Sequence, residues 1–162
     1  MKKWLLLLMM TVLMTGCTAE DTFETVADEL VLPVMAQPRF VCVDLPGETD
    51  LPVIENDSGR IYLCNDYEIV LQTLESGDLE KTLAVMAGLT QEDMTVMETS
   101  SDGIRRYDFV WAAAGEAGDR TGRGAVLDDG NYHYCLSVLA DTEGSEKSHV
   151  CWEDVFSSFC LS

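Results

Sequence analysis

The chain opens with Lys2 and Lys3 and then runs apolar from Trp4 to Met14, broken only by Thr11. That run is far shorter than the ~20 residues a helix needs to cross a bilayer. It reads as the hydrophobic stretch of a cleavable signal peptide over residues 1–16. Phe23, Val26 and Leu30 then recur at helical spacing among acidic residues, which predicts a short amphipathic helix over 22–31. Pro33 and Pro38 end it. From residue 39 the pattern turns to strands. Arg39–Leu45 stops at Pro46-Gly47, and a polar, turn-rich stretch leads to Gly59. Arg60–Cys64 and Tyr67–Leu74 follow as strands, with Asn65-Asp66 between them.

Asp78 has the side chain of a helix N-cap, Leu79, Leu83 and Met86 share one face behind it, and Gly88 marks the stop. Residues 94–140 alternate as an antiparallel meander of four strands, Thr95–Thr99, Ile104–Ala113, Gly124–Leu127 and Tyr132–Ala140. Asp102-Gly103 and Asp129-Gly130 supply the positive φ that tight hairpins require. A last helix over about 146–160 carries Val150, Trp152, Val155, Phe156 and Phe159, an apolar face that must be covered. The expected fold is α+β: an antiparallel sheet, made of the four-stranded meander plus the N-terminal strands, covered by helices that include a C-terminal one. Residues 17–38 form a tether with the short helix, and 39–162 form a single domain.

Composition narrows the function. The 162 residues carry 10 Lys+Arg against 29 Asp+Glu, a formal charge of −19. Phosphate contacts need clustered cations, so a nucleic-acid partner is excluded. Electrostatic docking on anionic lipid is excluded for the same reason. A hydrophobic content of 47% is too high for a disordered chain.

The end of the apolar run, Leu13-Met14-Thr15-Gly16-Cys17, resembles the lipobox of bacterial lipoproteins, with Met14 where Leu is commonest. The resemblance implies that Cys17 receives a diacylglyceryl thioether and becomes the first residue of the mature chain. Two acyl chains anchor a protein stably where one would be marginal. The address is then the extracytoplasmic face of the cell membrane, with the membrane itself a partner through the lipid. Loss of residues 1–16 removes two lysines and leaves 146 residues with a formal charge of −21.

Export places Cys42, Cys64, Cys135, Cys151 and Cys160 where disulfides persist. Five is odd, so at least one thiol stays unpaired within the molecule. Cys151 and Cys160, nine residues apart on one expected helix, would lie roughly 13 Å apart, beyond the ~7 Å limit of a disulfide. Cys42 and Cys64, on neighbouring strands, form one candidate pair. Cys135 with Cys160 or Cys151 forms the other.

Catalytic patterns are sparse. His133-x-Cys135 and His149-x-Cys151 repeat one spacing. On a strand that spacing points both side chains to one face, as a zinc site would need, but on a helix it separates them. The favoured reading is a surface histidine on each element beside a structural cysteine, with no metal site and no cofactor. No Gly-x-Ser-x-Gly elbow is present. Glu55–Gly59 and Asp128–Gly130 look faintly like calcium loops but lack the ligand spacing, and read as turns. The glycine-rich segment 115–124 lacks a phosphate loop's Gly-Lys-Ser/Thr ending. Arg105, Arg106, Arg120 and Arg123 gather four of the eight mature cations in one third of the chain, a candidate anion-binding patch. Trp111, Tyr107, Tyr132 and Tyr134 lie on the meander, as core or as a bare binding face.

The order of early strands, a helix, and a meander ending in Tyr132-His133-Tyr134-Cys135-Leu136-Ser137-Val138 is followed by a terminal helix closing with Phe156-Ser157-Ser158-Phe159. Over residues 39–161 it resembles the Mog1/PsbP-like fold and uncharacterised small clostridial-type lipoproteins. The resemblance implies a binding or assembly accessory acting on a protein or small ligand. The alternatives are a surface enzyme using carboxylates or a metal, and a structural component of the envelope.

Overall fold

The computed structural model describes residues 36–162, apart from 48, 50, 65, 90–93, 114–118 and 142–144. The chain divides into two units, 1–35 and Ala36–Ser162, and the second contains everything described below. The expected signal peptide, Cys17 and the 22–31 helix lie outside the described residues.

Among the described residues, nine strands and two helices follow in the order β1 (Val41–Cys42), β2 (Ile54–Asn56), β3 (Gly59–Leu63), β4 (Tyr67–Glu75), α1 (Leu79–Ala87), β5 (Thr95–Ser101), β6 (Ile104–Ala113), β7 (Arg120–Asp128), β8 (Tyr132–Asp141), α2 (Ser145–Ser158) and β9 (Cys160–Leu161). Seven strands make one antiparallel sheet in the order β2-β3-β4-β8-β7-β6-β5. The meander is present as expected, but it is only part of the sheet. The three-stranded piece β2-β3-β4 joins it through β4 and β8, paired from Tyr67↔Ala140 to Glu75↔Tyr132. β8 therefore lies at the centre, and its residues 133–138 are buried on both faces.

Local chemistry accounts for most element ends. Asp78 accepts a hydrogen bond from the Glu80 N–H at 3.1 Å and caps α1, while Gly88 closes it in the left-handed conformation at φ 69°. Ser101 pairs with Ile104 around Asp102 and Gly103. Their φ angles of 53° and 80° match the twist of the flanking strands. β7 begins at Arg120, four residues before the expected start. Its two glycines belong inside the strand because rings from β6 lie over them. A Cβ at Gly122 would sit 2.4 Å from the Trp111 ring, and one at Gly124 would sit 2.4 Å from Phe109.

Each face of the sheet has its own core. On one, α2 lays Val155 and Phe156, with Phe159 beyond its end, against Tyr67, Ile69, Leu127, Tyr134, Leu136 and Val138, with Val41, Val43 and Leu45 packed beside them. On the other, Leu83 of α1 meets Tyr107, Phe109, Trp111, Val126 and Cys135. Tyr107, Trp111 and Tyr134 are thus core residues and Tyr132 is half-buried; they form no bare aromatic face. Two expectations fail at the chain ends. Arg39–Leu45 contributes only β1, which stays out of the large sheet and pairs with β9. The terminal helix stops at Ser158, so Cys160 belongs to β9 and not to a helix.

Candidate functional site

Arg105, Asp128 and His133 stand abreast on β6, β7 and β8, because Arg105 pairs with Asp128 and Asp128 with His133 in register. Alternation points all three toward α1. Asp128 is 3% exposed and His133 1% exposed, so the expectation of a surface histidine on this strand is wrong. Arg105 is ion-paired to Asp128. Thr82 of α1 meets His133 Nδ1 at 2.8 Å, and Ser76 Oγ lies 3.5 Å from Nε2. The Ser76 hydroxyl also donates to Asp128 Oδ1 at 3.3 Å, and the Gly130 N–H does so at 2.8 Å. Burial lowers the His133 pKa, with Asp128 pulling the other way, and the ring is neutral at pH 7.

Serine, histidine and aspartate together invite comparison with a hydrolase triad, and the geometry does not support one. A triad places the carboxylate on Nδ1 and the nucleophile on Nε2. Here Asp128 Oδ2, at 3.8 Å, and Ser76 both face Nε2, while Thr82 occupies Nδ1. The ring is also sealed from solvent. The network is a strut that ties α1 and the β4–α1 turn to the centre of the sheet. Its signal in the sequence was the mostly apolar stretch Tyr134–Ala140 that follows His133 without polar alternation, which marks a strand buried on both faces.

The four arginines of the candidate anion patch do not converge. Adjacent strand positions send Arg105 to the α1 face and Arg106 to the α2 face. Arg106 holds Asp108 with two hydrogen bonds, at 2.7 and 3.0 Å, and donates to the Phe156 and Phe159 carbonyls at 2.8 and 3.1 Å. Arg123 reaches the same Asp108 at 3.6 Å and stacks over Phe156 at 4.4 Å. Arg120 is ion-paired to Glu68 on β4. Each guanidinium already faces a carboxylate.

The loops that look like calcium sites are turns. Asn56 Oδ1 accepts from the Ser58 and Gly59 N–H groups at 2.9 and 3.0 Å. Asp129 accepts from Asn131 and Tyr132 N–H groups and from the Tyr134 hydroxyl. Burial works against the charge on Asp129, but these bonds outweigh it and its pKa is lowered. Of the two histidine–cysteine pairs, His133 and Cys135 are buried on the α1 face. His149 lies against Trp152 of α2 with ring centroids 4.1 Å apart and the rings tilted by 56°.

None of the cysteines from 42 onward is in a disulfide, and the expected pairings do not match the fold. Cys64 lies beyond the end of β3, 3.7 Å from the Thr49 hydroxyl. Cys42 is on β1, outside the large sheet. Cys135 is buried on the α1 face, where burial pushes its thiol up to about 12. The sheet separates it from Cys151 and Cys160, which lie on the α2 side.

The concavity best placed to receive another molecule runs along α2. A groove of about 740 Å³ has one wall formed by Asp44, Leu45, Pro46 and Gly47. Val150, Cys151, Asp154, Val155, Ser157 and Ser158 form the other wall, and Tyr67 lines it between them. The walls meet where the Asp44 N–H donates to Ser158 Oγ at 2.8 Å. Val150 is 80% exposed, and its methyl groups stand at the rim beside two aspartates. Among the described residues, its lining offers apolar contact and negative charge and no Lys or Arg. A second hollow of about 480 Å³ adjoins it around Arg106, Asp108, Arg123, His149 and Trp152.

No protein-family model matches the sequence, and no curated protein matches it. Among solved structures, the fold is similar to that of LpqN of Mycobacterium tuberculosis, described as involved in cell envelope biogenesis. The TM-score is 0.51 at 11% identity, over 78% of this chain and 86% of that one. At that identity the likeness is one of fold alone.

Proposed function

We propose that this chain is a lipoprotein, held by lipid on Cys17 at the extracytoplasmic face of the cell membrane, and that its folded domain is a binding or assembly accessory. The groove along α2 carries this reading. It is open, combines apolar and acidic lining, and has Val150 of α2, 80% exposed, among its lining residues. The lipobox-like segment supports the anchor. The fold likeness to a protein involved in envelope biogenesis supports the setting, and the resemblance of residues 39–161 to the Mog1/PsbP-like fold supports an accessory role. The lining suits a partner segment that is apolar with a positive charge. Enzymatic chemistry has less support, because the buried carboxylate Asp128 and the half-buried Asp108 both serve arginines.

A photo-crosslinking residue placed at position 150 tests this in living cells. The control is the same residue at Val85, which is 66% exposed on α1, on the opposite face. The reading expects a discrete crosslinked product from position 150 and none from position 85. Crosslinking from 85 alone, or from neither site, would overturn the assignment of the groove.

A further inference from the structure

β1 and β9 are only two residues long, and they bring the two ends of the domain together. Val41 pairs with Leu161 and Cys42 with Cys160. The Ser162 N–H donates to the Phe40 carbonyl at 3.0 Å, so Phe40 and Ser162 form a hydrogen-bonded pair. Antiparallel alternation makes Cys42 and Cys160 the next such pair, with Cα atoms ~5.5 Å apart. Disulfides favour Cα separations of ~5.5–6 Å. Residues directly opposite each other project from the same face. Burial, and then the neighbouring Cys42, raise the Cys160 thiol's pKa, and both residues are exposed.

We infer that Cys42 and Cys160 are a disulfide site, oxidised by exchange with an external disulfide. One protein thiolate attacks a sulfur of the external disulfide and expels one thiolate. The second protein thiolate attacks the resulting mixed disulfide and expels the other. Two protein thiols are oxidised, one external disulfide is reduced to two thiols, and the two protons pass to the departing sulfurs. Among the described residues, no other two cysteines are partners in strand register. Cys64 faces Thr49, Cys135 is sealed on the far side of the sheet, and the Cys151 thiol donates to the Ser148 carbonyl at 3.0 Å.

The bridge has a structural consequence. A two-residue pairing is marginal by itself, and β1 leads directly into Asp44–Gly47, one wall of the groove. β9 follows directly on Ser157 and Ser158 of the other wall. The disulfide fixes the two walls at the end where they meet. It also closes a ring spanning nearly the whole domain, which constrains the unfolded chain.

The test uses the full chain, expressed with its own leader, extracted in detergent and equilibrated with oxidised glutathione. Remaining thiols are then blocked with a maleimide under denaturing conditions, and the unreduced digest is read by mass spectrometry. The expected product joins the Cys42 peptide to the Cys160 peptide, with maleimide on Cys64, Cys135 and Cys151. Maleimide or glutathione on both Cys42 and Cys160, or a Cys42–Cys64 link, would overturn the inference. Thermal unfolding gives an independent reading. Cys42→Ser and Cys160→Ser should each lower the midpoint of oxidised protein by roughly 10 °C, with the double variant no lower than either. Equal midpoints for oxidised and reduced wild type would also overturn it. Neither measurement depends on what the groove binds.

Discussion

Arg106 is the side chain on which the docking of α2 most depends. The last turn of that helix contains no basic residue of its own, and its C-terminal carbonyls carry the negative end of the helix dipole. Arg106 supplies the missing cation from β6 through its bonds to the Phe156 and Phe159 carbonyls, and its remaining donors grip Asp108. Arg106→Met keeps most of the aliphatic stem and removes every one of these bonds. Charge-assisted hydrogen bonds contribute ~1.5–3 kcal/mol each, and not additively. The Arg106 and Asp108 side chains are 24% and 15% exposed, so solvent screening weakens the ion pair without abolishing it. Together the losses come to about 3 kcal/mol. For a domain of this size, that lowers the thermal midpoint by roughly 10 °C. Asp108 would be left with Arg123 alone at 3.6 Å. Adding Asp108→Asn to Arg106→Met should therefore recover part of the loss. Circular dichroism melts of the three proteins at pH 7 decide the matter. A single variant within 2 °C of wild type, or a double variant that melts lower still, would refute the account of α2 docking.

Two further effects follow from the cores. The lowered pKa of His133 means the unfolded chain binds the proton more tightly than the folded one. Stability from this group is therefore full above its ordinary value of 6.5 and falls as pH drops below it, down to the depressed folded pKa. The melting midpoint should decline on acidification from pH 7.5 to 5, and His133→Gln should flatten that decline; an unchanged slope would place the dependence elsewhere. Gly124→Ala puts a Cβ 2.4 Å from the Phe109 ring and should destabilise by ~1–3 kcal/mol. Gly77→Ala, with nothing within 4 Å of the new atom, should melt within 1–2 °C of wild type, a difference that denaturation series would show.

What the sequence revealed and what it hid divide along physical lines. The meander could be read because its segments have strand-like apolar content and Asp102-Gly103 and Asp129-Gly130 mark its tight turns. The ends of α1 could be read because Asp78 and Gly88 act locally. The β4–β8 join pairs residues more than fifty positions apart, and no local pattern encodes it. β1 and β9 are too short to give a period of their own, so Cys42 opposite Cys160 was hidden. The glycines of β7 argued against a strand, because their compensation comes from Phe109 and Trp111 on a neighbour. The separation of Arg105 from Arg106 was legible, since adjacent strand positions always diverge. Counting cations along the chain obscured it. His133 stands at the start of the mostly apolar stretch Tyr134–Ala140, and its partners on α1 and the turns emerge only in three dimensions.

The account rests on the fate of Cys17, and the intact mass of the protein isolated from its own membranes tests it most directly. The account predicts a chain beginning at Cys17, residues 1–16 absent, with the added mass of a diacylglyceryl group on that sulfur. It also predicts that Cys17→Ala loses both the added mass and the membrane. A native protein that begins at Met1, unmodified and soluble in the cytosol, would contradict it.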